Sequence, residues 1–292
     1  MKRLIYLLLA MVVVLAACGS SGGQDGSVED SEENTTDERW AEIQEKGELV
    51  VVTSGTLYPA SYYEGDEGNQ DNLTGYNVEL IREVAQRLGL DISFEIMGVD
   101  SMLTAVKNGR ADVAINDIEP TDSRKKEFNF SDPYKYSFTT MVVREEDNSG
   151  IESLEDLEGK KAGGGATTVY SQIAEYYGAE VVTYGNAPNE AYLRDVHNGR
   201  TDVVINDYYL QKFGIAEFPE LDIHLHPELR FRPTEQAIVI PKDAETLTQE
   251  INNALEEMRE DGTLSELAIE FFEEDASQKP DEEIKEVEDL NL

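Results

Sequence analysis

The chain has 292 residues, of which 61 are Asp or Glu, 24 are Lys or Arg and one is Cys, giving a formal charge of -37 at pH 7. That surplus repels phosphate backbones and anionic headgroups, which argues against nucleic acid or an anionic membrane surface as a direct partner. The single cysteine excludes an intrachain disulfide.

From the N-terminus, Lys2-Arg3 lead into an apolar run from Leu4 to Ala17, too short to span a bilayer comfortably, which predicts a signal peptide over residues 1–17. Leu15-Ala16-Ala17-Cys18 resembles a bacterial lipobox, and the resemblance implies cleavage before Cys18 and a lipid on its sulfur; the competing reading is an uncleaved anchor. Residues 18–38 are almost devoid of apolar side chains and read as a disordered tether. The remainder of the chain is long enough for one large or two medium domains.

Glu48–Thr53 is predicted as a strand, and Asn77–Leu88, with apolar residues at the helical period, as a helix. A strand Asp91–Ile96, a helix capped by Asp100 and a strand Asp112–Ile115 come next. The second half repeats the pattern: strand Lys161–Gly164, helix Thr167–Tyr177, strand Glu180–Thr183, helix Asn189–His197, strand Asp202–Ile205. The alternation predicts an α/β fold of two lobes with parallel-rich sheets. Two β-rich runs, Thr139–Arg144 and Glu235–Ile240, read as crossings between the lobes, with helices Ala244–Glu260 and Leu264–Phe272 returning to the first lobe. The expected divisions are 39–140 and 235–277 for lobe 1, 145–230 for lobe 2 and 278–292 for an acidic disordered tail. Two tandem domains joined once would be the alternative.

Lys107-Asn-Gly-Arg-Ala-Asp-Val-Ala-Ile-Asn-Asp117 and His197-Asn-Gly-Arg-Thr-Asp-Val-Val-Ile-Asn-Asp207 are near copies. Each reads as a helix end, a Gly that turns the chain, a short apolar strand, and Asn-Asp where the strand runs out. Polar groups at the carboxyl ends of such strands point into ligand crevices. Gly163-Gly-Gly-Ala-Thr167-Thr168, between a strand and a helix, is either an anion seat or a plain turn with Thr167 as N-cap. Arg124, just beyond the first Asn-Asp, suits a bidentate grip on a carboxylate, unless Arg124-Lys-Lys is only a basic surface turn. Asp207 either meets an ammonium or caps the next helix. A cation from one lobe, an anion from the other and a helix start together describe a receptor for an α-amino acid. His224 and His226 alternate without a third ligand, so no metal site is expected.

The segments Leu73-Thr-Gly-Tyr-Asn-Val-Glu-Leu80, Gly109-Arg-Ala-Asp-Val-Ala-Ile115, Thr121 with Arg124, Phe130-Ser-Asp-Pro-Tyr134, Gly199-Arg-Thr-Asp202, Asp261-Gly-Thr-Leu264 and Phe272 with Asp275 resemble the family 3 extracellular solute-binding proteins, the amino-acid-binding lipoproteins of ABC importers. The likeness covers about Trp40 to Ser277. It implies a periplasmic-binding-protein-like type II fold that closes on one amino acid and delivers it to permease subunits. Carried over by position, Arg124 clamps the α-carboxylate with Thr168 and the Glu119 N–H, and Asp207 takes the α-ammonium near the Asp117 carbonyl. Thr121 and Thr167 accompany them. Ala-Ile-Asn-Asp-Ile, Lys135-Tyr-Ser137 and Asn206-Asp-Tyr-Tyr-Leu210 look most like the cystine-binding branch.

Three departures from the family pattern bear on the ligand. Aromatic stacking falls to Tyr58 or Tyr62, Val99 stands where relatives place Trp, and Asp117 and Glu119 replace small residues. These acids suit the second ammonium of cystine, or the side chain of Arg, Lys or His; glutamine is a further candidate. A buried charge left unpaired costs several kcal/mol, so some cation should answer any acid sealed inside. The resemblance further implies a monomer on the extracellular face of the cell membrane, attached through the Cys18 lipid alone, with no cofactor and no catalysis. The rival of another class is a dehydratase-like enzyme with Glu119 as acid.

Overall fold

The computed structural model describes residues 38–66, 68–280, 284 and 287. The expected signal peptide, Cys18, nearly all of the tether and most of the acidic tail lie outside them. Val-rich strands build the first lobe. Glu48–Thr53 pairs parallel with Asp91–Ile96 along its whole length and with Val113–Ala114 through Val51 and Val52. Val239–Pro241 and Phe128–Phe130 complete the sheet antiparallel. Alternate residues face opposite ways. Leu49 and Val51 pack under the helices Tyr76–Arg87, Glu245–Glu260 and Thr263–Phe272, while Val52 and Ala114 pack with Met102 and Val106 of Val99–Lys107.

The second lobe repeats the plan. Its sheet runs in the order Glu180–Thr183, Lys161–Gly164, Val203–Asp207, Lys135–Arg144 and Ile223–Leu225, the first three parallel. Helices Val169–Tyr176 and Asn189–His197 cover opposite faces, burying Ile173 and Leu193 respectively. Both copies of the repeated motif turn on a left-handed glycine, Gly109 at φ 70° and Gly199 at φ 67°, a conformation that costs a side-chain-bearing residue free energy. Asp112 and Asp202, inside the copies, perform one structural task. Each accepts from a neighbouring strand's N–H (Val50 at 2.8 Å, Lys161 at 3.0 Å) and pairs with an arginine (Arg39 at 3.0 Å, Arg144 at 3.2 Å).

Thr139–Arg144 is not a crossing between the lobes. It is the inner part of the strand Lys135–Arg144, which pairs antiparallel with Val203–Asp207, Ile223–Leu225 and Phe231–Gln236. The passage lies just upstream, where the Tyr134 N–H donates to Gln236 O and the Ser131 N–H to Ile238 O, both at 3.0 Å. A β-branched run does not reveal which sheet will claim it. At the back, the lobes also meet through Tyr209 and Phe272, ring centroids 5.0 Å apart, and through Lys212 and Glu274 at 2.6 Å.

Candidate functional site

The carboxyl ends of the central strands of both sheets open on a cavity of about 410 Å3 lined from both lobes, within the roughly 300–1,000 Å3 usual for small-molecule sites. Lobe 1 contributes Asn116, Asp117, Glu119 and Arg124; lobe 2 contributes Gly164, Thr168, Tyr170, Tyr192 and Asn206. The lobes touch across the mouth. Thr56 Oγ1 meets Asn186 Oδ1 at 3.4 Å, the Thr167 hydroxyl donates to Asp100, and Arg124 Nη2 donates to Thr167 O at 3.4 Å.

Arg124 stands on the short helix Asp122–Lys125, whose N-cap Thr121 accepts from the Arg124 N–H at 3.3 Å. Thr121 is therefore a cap, and it is not part of the cavity wall. The guanidinium is half-buried and, among the described residues, donates only to carbonyls, Glu119 O at 3.0 Å and Thr167 O. Among the described residues it has no carboxylate partner within 4.0 Å. Burial lowers its pKa from the ordinary value. Across from it Thr168, not Thr167, caps Val169–Tyr176, accepting from the Ser171 N–H at 3.2 Å. Asp100 likewise is not a cap; it lies inside the helix Val99–Lys107, which Gly98 caps in an extended conformation.

Asp207 lies at the end of its strand and caps the helix Tyr208–Glu217, accepting from the Leu210 N–H at 3.1 Å. Its side chain is fully buried and is not itself in the cavity wall, although Ile205, Asn206 and Leu210 around it are. Nor is it free for a ligand in the simple sense expected. Lys135 Nζ lies 3.0 Å from Asp207 Oδ1 and 2.5 Å from Asp117 Oδ2. The Lys135 side chain is 0% exposed, that of Asp117 4%. The last residues of the two motif copies thus converge, one from each lobe, on one internal ammonium. Burial alone would lower the lysine pKa, but the two carboxylates outweigh it and hold it above the ordinary value. Burial raises the Asp117 carboxyl against the pull of Lys135. Asp207 Oδ2 finds no hydrogen-bond partner among the described residues.

Glu119 is likewise answered from within, by the Arg232 guanidinium. The cations demanded by the two buried acids belong to the chain, so neither acid stands unclaimed for a ligand's side chain. Tyr58 and Tyr62 pack on each other edge to face, centroids 4.8 Å apart, and neither lines the cavity. The wall tyrosines are Tyr170 and Tyr192, which the sequence did not single out; the helical period places them on their helices without saying which face looks into the cleft. Burial, then Glu119 and Asp207, push the Tyr170 hydroxyl well above its ordinary pKa. The histidines do structural work: His226 Nδ1 accepts from the Glu228 and Leu229 N–H groups, and His224 Nε2 meets Asn148 at 2.8 Å. Among the described residues no cluster of three metal-ligating side chains occurs, and no helix is long and apolar enough to cross a membrane.

A family model of bacterial extracellular solute-binding proteins, family 3, matches residues 49–274. The probable ABC transporter extracellular-binding protein YckB of Bacillus subtilis is 49% identical over 280 residues, 96% of this chain and 94% of that protein. Its crystal structure superposes with a TM-score of 0.68 at 52% identity, covering 85% of this chain and 99% of the other. The L-cystine-binding protein TcyA of Bacillus subtilis is 35% identical, over 95% of this chain and its own entire length. An ancestral arginine-binding protein bound to glutamine superposes with a TM-score of 0.70 at 30% identity, covering 78% of this chain and 99% of the other.

Proposed function

We propose, for a chain that belongs to the bacterial extracellular solute-binding proteins, family 3, that it captures L-cystine and hands it to an ABC importer. The fold is the two-lobed α/β architecture of the type II periplasmic-binding proteins. The observation that carries the amino-acid reading is Arg124. A guanidinium in a cavity wall, hydrogen-bonded among the described residues to carbonyls alone, has a full charge to spend on an anion, and planar donors suit a carboxylate. Thr168 and the helix start beside it add hydroxyl and amide donors to the same end. Asp207 Oδ2, buried behind the cavity wall and unpartnered among the described residues, is the acceptor that a ligand ammonium reaching past that wall would satisfy. Micromolar affinity needs about 8 kcal/mol net, within reach of two charge-assisted contacts and a desolvated cavity.

Cystine rather than another amino acid is supported by the similarity to TcyA, named for L-cystine, and by a cavity whose wall also carries the neutral polar residues Thr56, Asn186 and Tyr192. Arginine, lysine, histidine and glutamine are the alternatives. Isothermal titration with the twenty amino acids and cystine tests both levels: binding of none overturns the receptor reading, and a stronger ligand than cystine overturns the choice within it. The dehydratase-like reading relies on Glu119, whose carboxylate is engaged by Arg232; turnover of candidate substrates by the purified protein would establish it. Attachment through Cys18 at the outer face, in a monomer, completes the proposal. Release of a Cys18→Ser variant into the medium is its expected sign.

A further inference from the structure

Behind the cavity wall at Asp117 lies a buried group that the receptor reading does not use. Lys135 starts the strand that leaves the hinge, and its ammonium is fully buried between Asp117 of lobe 1 and Asp207 of lobe 2. The rings of Phe272 at 5.0 Å and Tyr209 at 5.7 Å also lie beside it. Two buried carboxylates at the carboxyl ends of equivalent strands, one in each lobe, would, without it, make a strong seat for a cationic group arriving with the ligand. The lysine takes that seat itself. It claims Asp117 Oδ2 and Asp207 Oδ1, and Tyr134 approaches Asp117 Oδ1 at 3.5 Å, so the carboxylate oxygen left without a partner among the described residues is Asp207 Oδ2.

We propose that Lys135 is a specificity-determining residue, a built-in ammonium that leaves this site one surplus negative charge and room for a single ammonium of the ligand, so that a second cation near the α-carbon is refused. The inference rests on the amino-acid-binding reading and deepens it. Lys135 acts through Asp117 and Asp207 and touches no part of the ligand, which makes it a positioning residue for the acceptor oxygen. Electrostatic selection works by such arrangement, since a second desolvated cation brought to a site that the α-ammonium has already neutralised costs far more than it returns.

The test compares 2,4-diaminobutyrate with norvaline, two amino acids of nearly equal shape that differ in a terminal ammonium or methyl. Each is measured by competition against the tightest ligand found in the amino-acid titration. The wild-type protein should prefer norvaline. In Lys135→Met, which frees both carboxylates, the ratio should move toward 2,4-diaminobutyrate by tenfold or more. In Asp117→Asn, which leaves the lysine and removes the surplus charge, affinity for both should fall tenfold or more with no gain for the diamino acid. Circular dichroism melting checks that each variant is folded, and if Lys135→Met is not, the Asp117→Asn arm decides. An unchanged ratio in folded Lys135→Met, or wild-type affinity in Asp117→Asn, overturns the proposal. Failure of the wild-type protein to bind any amino acid would instead overturn the receptor reading beneath it.

Discussion

Replacing Arg124 by Ala is expected to weaken amino-acid binding roughly 30- to 150-fold. Truncating one partner of a buried, hydrogen-bonded charge pair costs about 2–5 kcal/mol. Because the Arg124 side chain is only half-buried, the lower part of that range applies, about 2–3 kcal/mol, which converts at 1.4 kcal/mol per tenfold. The residue also bridges the lobes through Thr167 O, so easier opening of the cleft would contribute to the same loss. Thr167→Val separates the two: it removes the neighbouring bridge to Asp100 while leaving the guanidinium in place, and is expected to change affinity by at most about tenfold, the loss of one exposed hydrogen bond. Isothermal titration gives the affinities, and melting of the ligand-free proteins should show little difference, since removing Arg124 leaves no buried carboxylate unpaired. An Arg124→Ala variant that binds within threefold of wild type, or a Thr167→Val variant that loses as much, would refute the assignment of the carboxylate grip.

The geometry predicts three further outcomes. Tyr170→Phe removes the hydroxyl of a cavity-wall residue and should cost about 0.5–1.5 kcal/mol of binding with no change in the melting temperature of the free protein. Gly75→Ala places a methyl 2.5 Å from the Ala60 carbonyl oxygen at φ 117°; a cost of about 2–3 kcal/mol predicts a melting temperature lower by about 5–10 °C. Bonds from Thr263, then Arg87, hold the Asp261 carboxyl down at about 2, below the roughly 3.9 of an unfolded Asp. Its stabilisation is therefore full above about pH 4 and lost as pH falls toward 2, and urea melts of wild type and Asp261→Asn should diverge in pH dependence only across that window.

Much of the scaffold could be read from the chain because its signals are local. The strands Glu48–Thr53, Asp91–Ile96, Lys161–Gly164 and Glu180–Thr183 and the helix Asn189–His197 fall where β-branched runs, period and turn glycines place them. The repeated motif located the strand ends, and the Gly-rich turn and Arg124 do share one cavity. What stayed hidden is pairing over distance. Asp207 looked free because its partner Lys135 is 72 residues away, inside an apolar run where a lysine reads as an exposed stem. Glu119 and Arg232 stand 113 residues apart. Tyr58 and Tyr62 looked like ligand platforms because an aromatic near another in sequence gives no hint that the two will pack together. One clue was available: two acids expected inside a cleft require cations, and the chain has few lysines next to aromatic, β-forming neighbours.

The contacts across the cleft mouth, Thr56 with Asn186, Thr167 with Asp100 and Arg124 with Thr167, all lie at exposed positions, where each hydrogen bond contributes at most about 0.5–1.5 kcal/mol. Such a rim is too weak to imprison anything. Residence time must then be governed by the solute's own hold on the interior, so a wrong molecule escapes on the first fluctuation that parts the rim, while a well-matched one keeps the jaws together long enough for the importer to find them.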